Sequence, residues 1–471
     1  MLSPKGYCVR KDGMTVQALA SLKKELTMTP VAQVMINSGV VPSYPIYHED
    51  ALNIYVPKYF GLQKFGVPAQ SDIDAGRDVS LTFTGSLREE QLSPSEAFLE
   101  AANDPRKMGG ILSLSCGQGK TVIALYIMSK LKKKTLIVVH KDFLLNQWRE
   151  RIGQFLPSAR VGIIKGKVTD VDDKDIVIAS VQSLSMKSYE ESTFAGIGLL
   201  VVDECHRVGT EVFSRALQKN TFKYSLGLSA TVVRKDGMTK AFVNFLGDVV
   251  FKGDRREDIV RVVQHRFNDD DPAYSKEEVI ASIGKPNMSK MINNICAFGP
   301  RNALIVDNIH RCVEKENQRK VLVLSDRKNQ LAIIKAGLTT LGISSGFYYG
   351  GLKPAQLADS ETKQVLLATF AYAAEGMDCK GLDTLFLVSP KSDIEQSCGR
   401  ILRERAHERK REPLIFDVVD AFSIFERQAG KRRAYYKKNG YDLSWNGCDL
   451  SWNGCDLSWN GCDDAPTYAF R

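Results

Sequence analysis

Gly117-Gln118-Gly119-Lys120-Thr121 is a run that can cradle phosphates. Its glycines, Gly117 and Gly119, let backbone N–H groups close on phosphate oxygens, and a helix that starts there adds a favourable dipole. Lys120 is then placed to reach the β- and γ-phosphates of a nucleotide, and Thr121 to ligand Mg²⁺. Asp203-Glu204 follows the apolar run Leu199–Val202. Of this pair, Asp203 suits the Mg²⁺ shell, and Glu204 suits the orientation and deprotonation of an attacking water. Much later, Gln396, Arg400 and Arg403 stand at i, i+4 and i+7. On a helix spanning Ile394–Ala406 that spacing puts an amide and two guanidiniums on one face. A guanidinium stays charged and its fork matches phosphate oxygens, so this set suits the charge of a transferring phosphoryl group. Hydrolysis of a nucleoside triphosphate is the chemistry all these groups share. One departure stands out: the strict phosphate-loop pattern has glycine where this chain has Leu114.

These groups need particular elements to hold them. Short apolar runs at Ile111–Leu114, Thr135–Val139, Asp175–Ala179, Leu199–Val202 and Tyr224–Leu228 read as buried strands alternating with helical periodicity. A second set follows at Val321–Leu324, Val365–Ala368, Leu382–Val388 and Leu414–Val418. Such alternation predicts parallel sheets covered by helices on both faces. The fold class expected is α/β, with two tandem lobes of parallel sheet behind a small N-terminal mixed α+β domain. The boundaries expected are 1–80 for that accessory domain, 81–253 and 254–440 for the two lobes, and 441–471 for a tail. The tail repeats Asp-Leu-Ser-Trp-Asn-Gly-Cys three times, from Asp442, Asp449 and Asp456. Asn-Gly in every copy signals turns and disfavours helix, so a flexible acidic tail is expected there rather than a coiled coil.

Composition narrows the class. Hydrophobic content of 44% and charged content of 25% are ordinary for a globular chain. The net charge is +9 although the last 31 residues hold five aspartates and one arginine, so the body before them is more basic still. A basic body favours polyanionic partners. Ten cysteines without a Cys-x-x-Cys pair argue against a zinc ribbon and fit a reducing compartment. The opening Met1-Leu2-Ser3-Pro4-Lys5-Gly6 lacks the apolar segment of a signal peptide, and no run approaches the roughly eighteen apolar residues of a membrane helix. An intracellular, soluble protein is therefore expected.

The chain resembles the DExH helicases of superfamily 2, in the XPB-like branch that includes transcript-release helicases of large DNA viruses. The resemblance spans about residues 85 to 420. It rests on the phosphate loop, Asp203-Glu204-Cys205-His206, Gly227-Leu228-Ser229-Ala230-Thr231, Glu375-Gly376-Met377-Asp378 and Gln396–Arg403. It also rests on Leu87-Arg88-Glu89-Glu90-Gln91, similar to the branch's adenine-sensing element. The fold it implies is a pair of RecA-like lobes with ATP and Mg²⁺ in the cleft between them. It further implies that Gln91 contacts adenine, that His206, Ser229 and Thr231 couple hydrolysis to movement, and that Gly376 and Asp378 help close the nucleotide site. Val232 departs from the family, which commonly has proline there.

The expected function is an ATP-dependent helicase or translocase on DNA, single- or double-stranded, with RNA as the other track. Lys141, Gln147 and Trp148 lie where relatives contact the strand, and Lys165 and Lys167 are further phosphate-contact candidates. Trp148 shares a helical apolar face with Leu144, Leu145, Ile152 and Phe155, which favours a core role over base stacking. Tyr55, Tyr59, Phe60 and Phe65 with Lys58 and Lys64 offer either core packing, the favoured reading, or a duplex-sensing surface. Transcription or repair machinery is the expected setting and a monomer the expected state. Two rivals remain open: a duplex translocase or transcript-release factor without processive unwinding, and an inactive phosphate-loop scaffold that only binds nucleic acid.

Overall fold

The computed structural model describes all residues except 30–42, 116, 207–210, 231–238, 254–257, 281, 283, 317–318, 378, 405–407, 446–450, 453–454 and 457–471. The chain forms two compact units, Met1–Asp254 and Arg255–Arg471.

In the first unit an eight-stranded sheet runs in the order 168–170, 161–165, 176–180, 135–139, 199–202, 224–229, 109–113 and 249–252. Every pairing is parallel except that of Val168–Asp170 with Val161–Lys165. The apolar runs explain the architecture directly. In Thr135–Val139, Ile137 and Val139 enter one core while Leu136 and Val138 enter another on the opposite face. A strand buried on both faces needs apolar residues at successive positions. Each fully buried Val, Leu or Ile contributes about 1.5–3 kcal/mol. Parallel pairing also aligns the carboxyl ends of 109–113, 199–202 and 224–229 along one edge.

The N-terminal part of this unit carries a small four-stranded antiparallel sheet of Leu2–Ser3, Gly6–Arg10, Asn53–Val56 and His48–Glu49. Helix Lys58–Phe65 fastens it to the large sheet's periphery. Tyr59 and Phe60 are buried, and the Tyr59 hydroxyl donates to the Met108 carbonyl at 3.0 Å. Lys58 is 4% exposed and donates from Nζ to the carbonyls of Phe222 and Lys223, both at 2.9 Å. These residues are thus packing and fastening groups. Phe65 stays partly exposed, stacked on Tyr7.

The second unit repeats the logic with a seven-stranded, wholly parallel sheet in the order 345–348, 365–369, 321–325, 384–387, 414–420, 261–267 and 442–445. Val321 and Val323 face one core, Leu322 and Leu324 the other. The last strand corrects the expectation of a tail beginning at 441. Asp442–Trp445, in the first copy of the repeat, pairs in parallel with Arg261–Gln264 and so completes the sheet edge. The Asp-Leu-Ser-Trp alternation suits an edge strand, and Ser444 Oγ donates to the Val262 carbonyl at 3.1 Å. Further on, Ser451–Trp452 pairs antiparallel with Cys455–Asp456, and the rest of the repeat lies outside the described residues.

Candidate nucleotide site

Strand Gly109–Ser113 leads through the loop at 114–119 into helix Lys120–Leu131. Gly117 and Gly119 take positive φ of 84° and 74°, the left-handed conformations a tight phosphate loop needs. Gly119 has a second constraint: a Cβ there would sit 2.2 Å from Nε2 of Gln91. The Leu114 departure is explained by packing. Its side chain is 2% exposed in the core, while its carbonyl faces the loop and accepts from Lys120 Nζ at 3.2 Å. The Gln118 carboxamide folds back so that Oε1 accepts from the Ser115 N–H at 2.6 Å.

Strand Leu199–Val202 delivers the carboxylates to the same edge. Lys120 Nζ lies 3.9 Å from Glu204 Oε1, with side-chain exposures of only 12% and 19%. Glu204 holds a positive φ of 50°, uncommon for a residue with a Cβ and typical of strain kept at a working site. Asp203 is buried. Its Oδ1 accepts from the Glu204 N–H at 2.9 Å and its Oδ2 from Trp148 Nε1 at 3.0 Å. Burial, then the neighbouring Glu204 charge, pushes its carboxyl up to about 6. His206 Nδ1 stands 3.0 Å from Ser229 Oγ and 3.2 Å from Glu204 Oε2. Ser229 ends the strand Tyr224–Ser229, and its carbonyl accepts from the Leu114 N–H at 2.8 Å.

Among the described residues no cluster of three or more His, Cys, Asp or Glu could cage a metal ion. A Mg²⁺ that arrives with a nucleotide does not need one. It is commonly held by one or two carboxylates, with phosphate oxygens and water supplying the rest. The oxygen donors Thr121 and Asp203, beside a lysine-bearing phosphate loop, fit that ion.

Comparison with known proteins places the chain in a family. Residues 84–234 match the model of the type III restriction enzyme res subunit. A protein of Acanthamoeba polyphaga mimivirus named "Putative ATP-dependent RNA helicase L396" is 33% identical over 455 residues, which is 93% of this chain and 85% of the relative. The chain belongs to the superfamily 2 helicases. "Putative helicase 161L" of Invertebrate iridescent virus 6 is 26% identical, covering 82% of this chain and 88% of the relative. "Probable helicase D10" of Escherichia phage T5 is 26% identical over 69% of this chain and 71% of the relative. The crystal structure of T4 UvsW aligns with 92% of this chain and 96% of that one at 16% identity, with a TM-score of 0.36.

This helicase therefore uses ATP, and Lys120, Asp203, Glu204, His206 and Ser229 converge at one sheet edge. Gln91 joins them, buried against the phosphate loop with its carboxamide held by backbone. Its Oε1 accepts from the Arg88 N–H at 3.0 Å, and its Nε2 donates to the Gln118 carbonyl at 3.2 Å. Thr231 and Asp378 lie outside the described residues.

In the second unit the expected helix over Ile394–Ala406 is replaced by a four-residue helix, Glu395–Cys398. From there the backbone tightens into i→i+3 turns, the Arg400 N–H bonding to Ser397 and the Ile401 N–H to Cys398. Cys398, Ile401 and Leu402 are drawn into the core by that turn. Gln396, Arg400 and Arg403 therefore do not share one regular helix face. The two guanidiniums still converge: Arg400 Nη1 donates to the Met377 carbonyl at 2.9 Å, and Arg403 Nη2 donates to the same oxygen. Met377 directly follows Gly376, the last residue of helix Phe370–Gly376.

The nucleic-acid candidates divide. Lys141 caps helix Asp142–Phe155, and Lys165 ends its strand and pairs with Asp142 at 3.0 Å. Lys167 is exposed on the adjoining hairpin, and Gln147 is half-buried. Trp148 is core, at 1% exposure. Helical phase foretold that burial but not the bond to Asp203. The signal available was that a buried indole N–H almost always finds an acceptor.

Proposed function

We propose that this helicase is a nucleic-acid-stimulated ATPase that moves along DNA, hydrolysing ATP at the carboxyl edge of its first sheet. The placement of Lys120 3.9 Å from Glu204 carries this reading, because it sets a phosphate-binding cation beside a candidate general base. Lys120 binds the β- and γ-phosphates, and Thr121 with Asp203 holds the ion. Mg²⁺, when bound, neutralises charge on the phosphates. Glu204 orients and deprotonates water. His206 and Ser229 pass the state of that carboxylate to the neighbouring strand end. Arg400, Arg403 and Gln396 are suited by chemistry to charge stabilisation, and the family resemblance adds Gly376 and Asp378 to the nucleotide-binding set. Lys141, Gln147, Lys165 and Lys167 contact the strand backbone. The division that goes with this reading is 1–80 as an accessory domain and two motor lobes, the first ending at Asp254 and the second running from Arg255 through the edge strand Asp442–Trp445.

The names of the mimivirus and African swine fever virus relatives, both "Putative ATP-dependent RNA helicase", favour RNA as a second reading of the track. Viral relatives also favour an infected cell as the setting; among the described residues no helix is long and apolar enough to cross a membrane. Steady-state ATP hydrolysis with no polymer, single-stranded DNA, duplex DNA and RNA tests all of this, with Lys120→Ala as control. Stimulation by DNA that is lost in the control is the expected result, and stimulation by RNA alone selects the second reading. Hydrolysis indifferent to every polymer overturns the motor. A strand-displacement assay beside a roadblock-displacement assay then separates unwinding from translocation.

A further inference from the structure

Among the described residues Trp148 is the bulkiest fully buried side chain, at 1% exposure. It sits on the inner face of helix Asp142–Phe155 with Leu144, Leu145 and Ile152. Most of its ring is ordinary core, but its polar edge is not. Nε1–H donates to Asp203 Oδ2 at 3.0 Å, while Asp203 Oδ1 accepts from the Glu204 N–H at 2.9 Å. Two neutral donors thus fix the rotation of one carboxylate from both sides. A neutral donor orients a carboxylate without cancelling its charge, whereas a paired arginine would compete with a cation for it. Such outer partners set the direction of a metal-binding oxygen, and losing one typically costs 10–100-fold in metal affinity.

We propose that Trp148 is a positioning residue that holds Asp203 in the orientation required for the divalent ion bound with ATP. The proposal rests on the nucleotide-site reading above and extends it to a residue on a different element. A purely structural role would make the hydrogen bond incidental: the indole N–H would simply be satisfied, and the ion would be indifferent to its loss.

The full-length chain separates the two. Mn²⁺ affinity is measured by electron paramagnetic resonance with a non-hydrolysable ATP analogue present, for the wild type, Trp148→Phe, Asp203→Asn and Phe98→Leu. Phe98 belongs to the same core and is fully buried, which makes its substitution a packing control. The expected result is at least tenfold weaker Mn²⁺ binding in Trp148→Phe and unchanged binding in Phe98→Leu. The Mg²⁺ concentration for half-maximal ATPase should rise in parallel, with kcat at saturating Mg²⁺ within about threefold of wild type. Mn²⁺ binding within twofold of wild type in Trp148→Phe, or an equal loss in Phe98→Leu, overturns the proposal. Trp148→Leu supplies a second reading if Trp148→Phe does not melt cooperatively. If neither does, the ring is a core anchor first and the proposal falls. Wild-type Mn²⁺ binding that Asp203→Asn leaves intact instead overturns the nucleotide-site assignment itself.

Discussion

The Lys120 ammonium lies between the Leu114 carbonyl, at 3.2 Å, and Glu204 Oε1, at 3.9 Å. One cation thus links the phosphate loop to the candidate base, and the two residues should fail differently when replaced. Lys120→Ala removes the phosphate cation and should abolish both tight nucleotide binding and turnover. Glu204→Gln keeps the shape and the oxygen but loses the base. Its turnover should fall roughly 10²–10⁴-fold with nucleotide affinity nearly unchanged. Fluorescent-nucleotide binding beside single-turnover hydrolysis reads both quantities. A Glu204→Gln enzyme that keeps more than a tenth of its turnover would remove Glu204 from the chemistry.

His206 offers a different test, because its Nδ1 is within 3.2 Å of both Ser229 Oγ and Glu204 Oε2. Ser229 is fully buried at a strand end and its backbone carbonyl holds Leu114. On the proposed reading this link carries the state of the site to the strand end and takes no part in the cleavage. Ser229→Ala should therefore keep polymer-free ATPase within about threefold while losing most of its displacement of a paired strand. Equal loss of both activities would place Ser229 in hydrolysis itself.

Gln91 is engaged at both ends by backbone, with Arg88 on one side and Gln118 on the other. Its amide also fills the space beside Gly119. Those contacts suit a brace for the phosphate loop, which would serve any nucleotide base alike. Gln91→Ala should then raise KM for ATP and GTP by similar factors, on the order of tenfold for a lost buried hydrogen bond. Parallel titrations with the two nucleotides decide the matter. A rise confined to ATP would instead assign Gln91 to reading adenine.

Much of this architecture was legible in the sequence because both sheets are buried on two faces. Leu136–Val139 and Leu199–Val202 are apolar at every position, and the runs Thr135–Val139 and Leu199–Val202 agree in their bounds with the observed strands. The phosphate loop and the acidic pair were legible for a related reason, since both sit at strand ends where parallel pairing must bring them together. Long-range hydrogen bonds were not legible. Trp148 and Asp203 are 55 residues apart, and nothing in helical phase says which acceptor an indole will find. The arginine segment misled for a local reason: its spacing suits a helix, yet burial of Cys398, Ile401 and Leu402 is achieved by a tighter turn. The repeat misled in the opposite sense, because an edge strand needs only one partner and Arg261–Gln264 supplies it.

Lys58 ties the N-terminal sheet to the rest of its unit at the cost of burying an ammonium. Burial pushes its pKa down to about 7 from an ordinary 10.5, although the carbonyls of Phe222 and Lys223 accept from it. Between those two values the unfolded chain binds the proton that the folded chain has released. Stability must therefore rise with pH across about pH 7 to 10.5, and the penalty is full and constant below 7. The slope from this one residue is at most about 1.4 kcal/mol per pH unit. Lys58→Met removes the titrating group while keeping an unbranched apolar stem of similar length. Its stability relative to wild type should be greatest below pH 7 and should decline steadily toward pH 10. Urea midpoints for both proteins across that range check the sign. A difference that stays flat with pH would mean that Lys58 keeps its proton in the folded chain, held there by the two carbonyls.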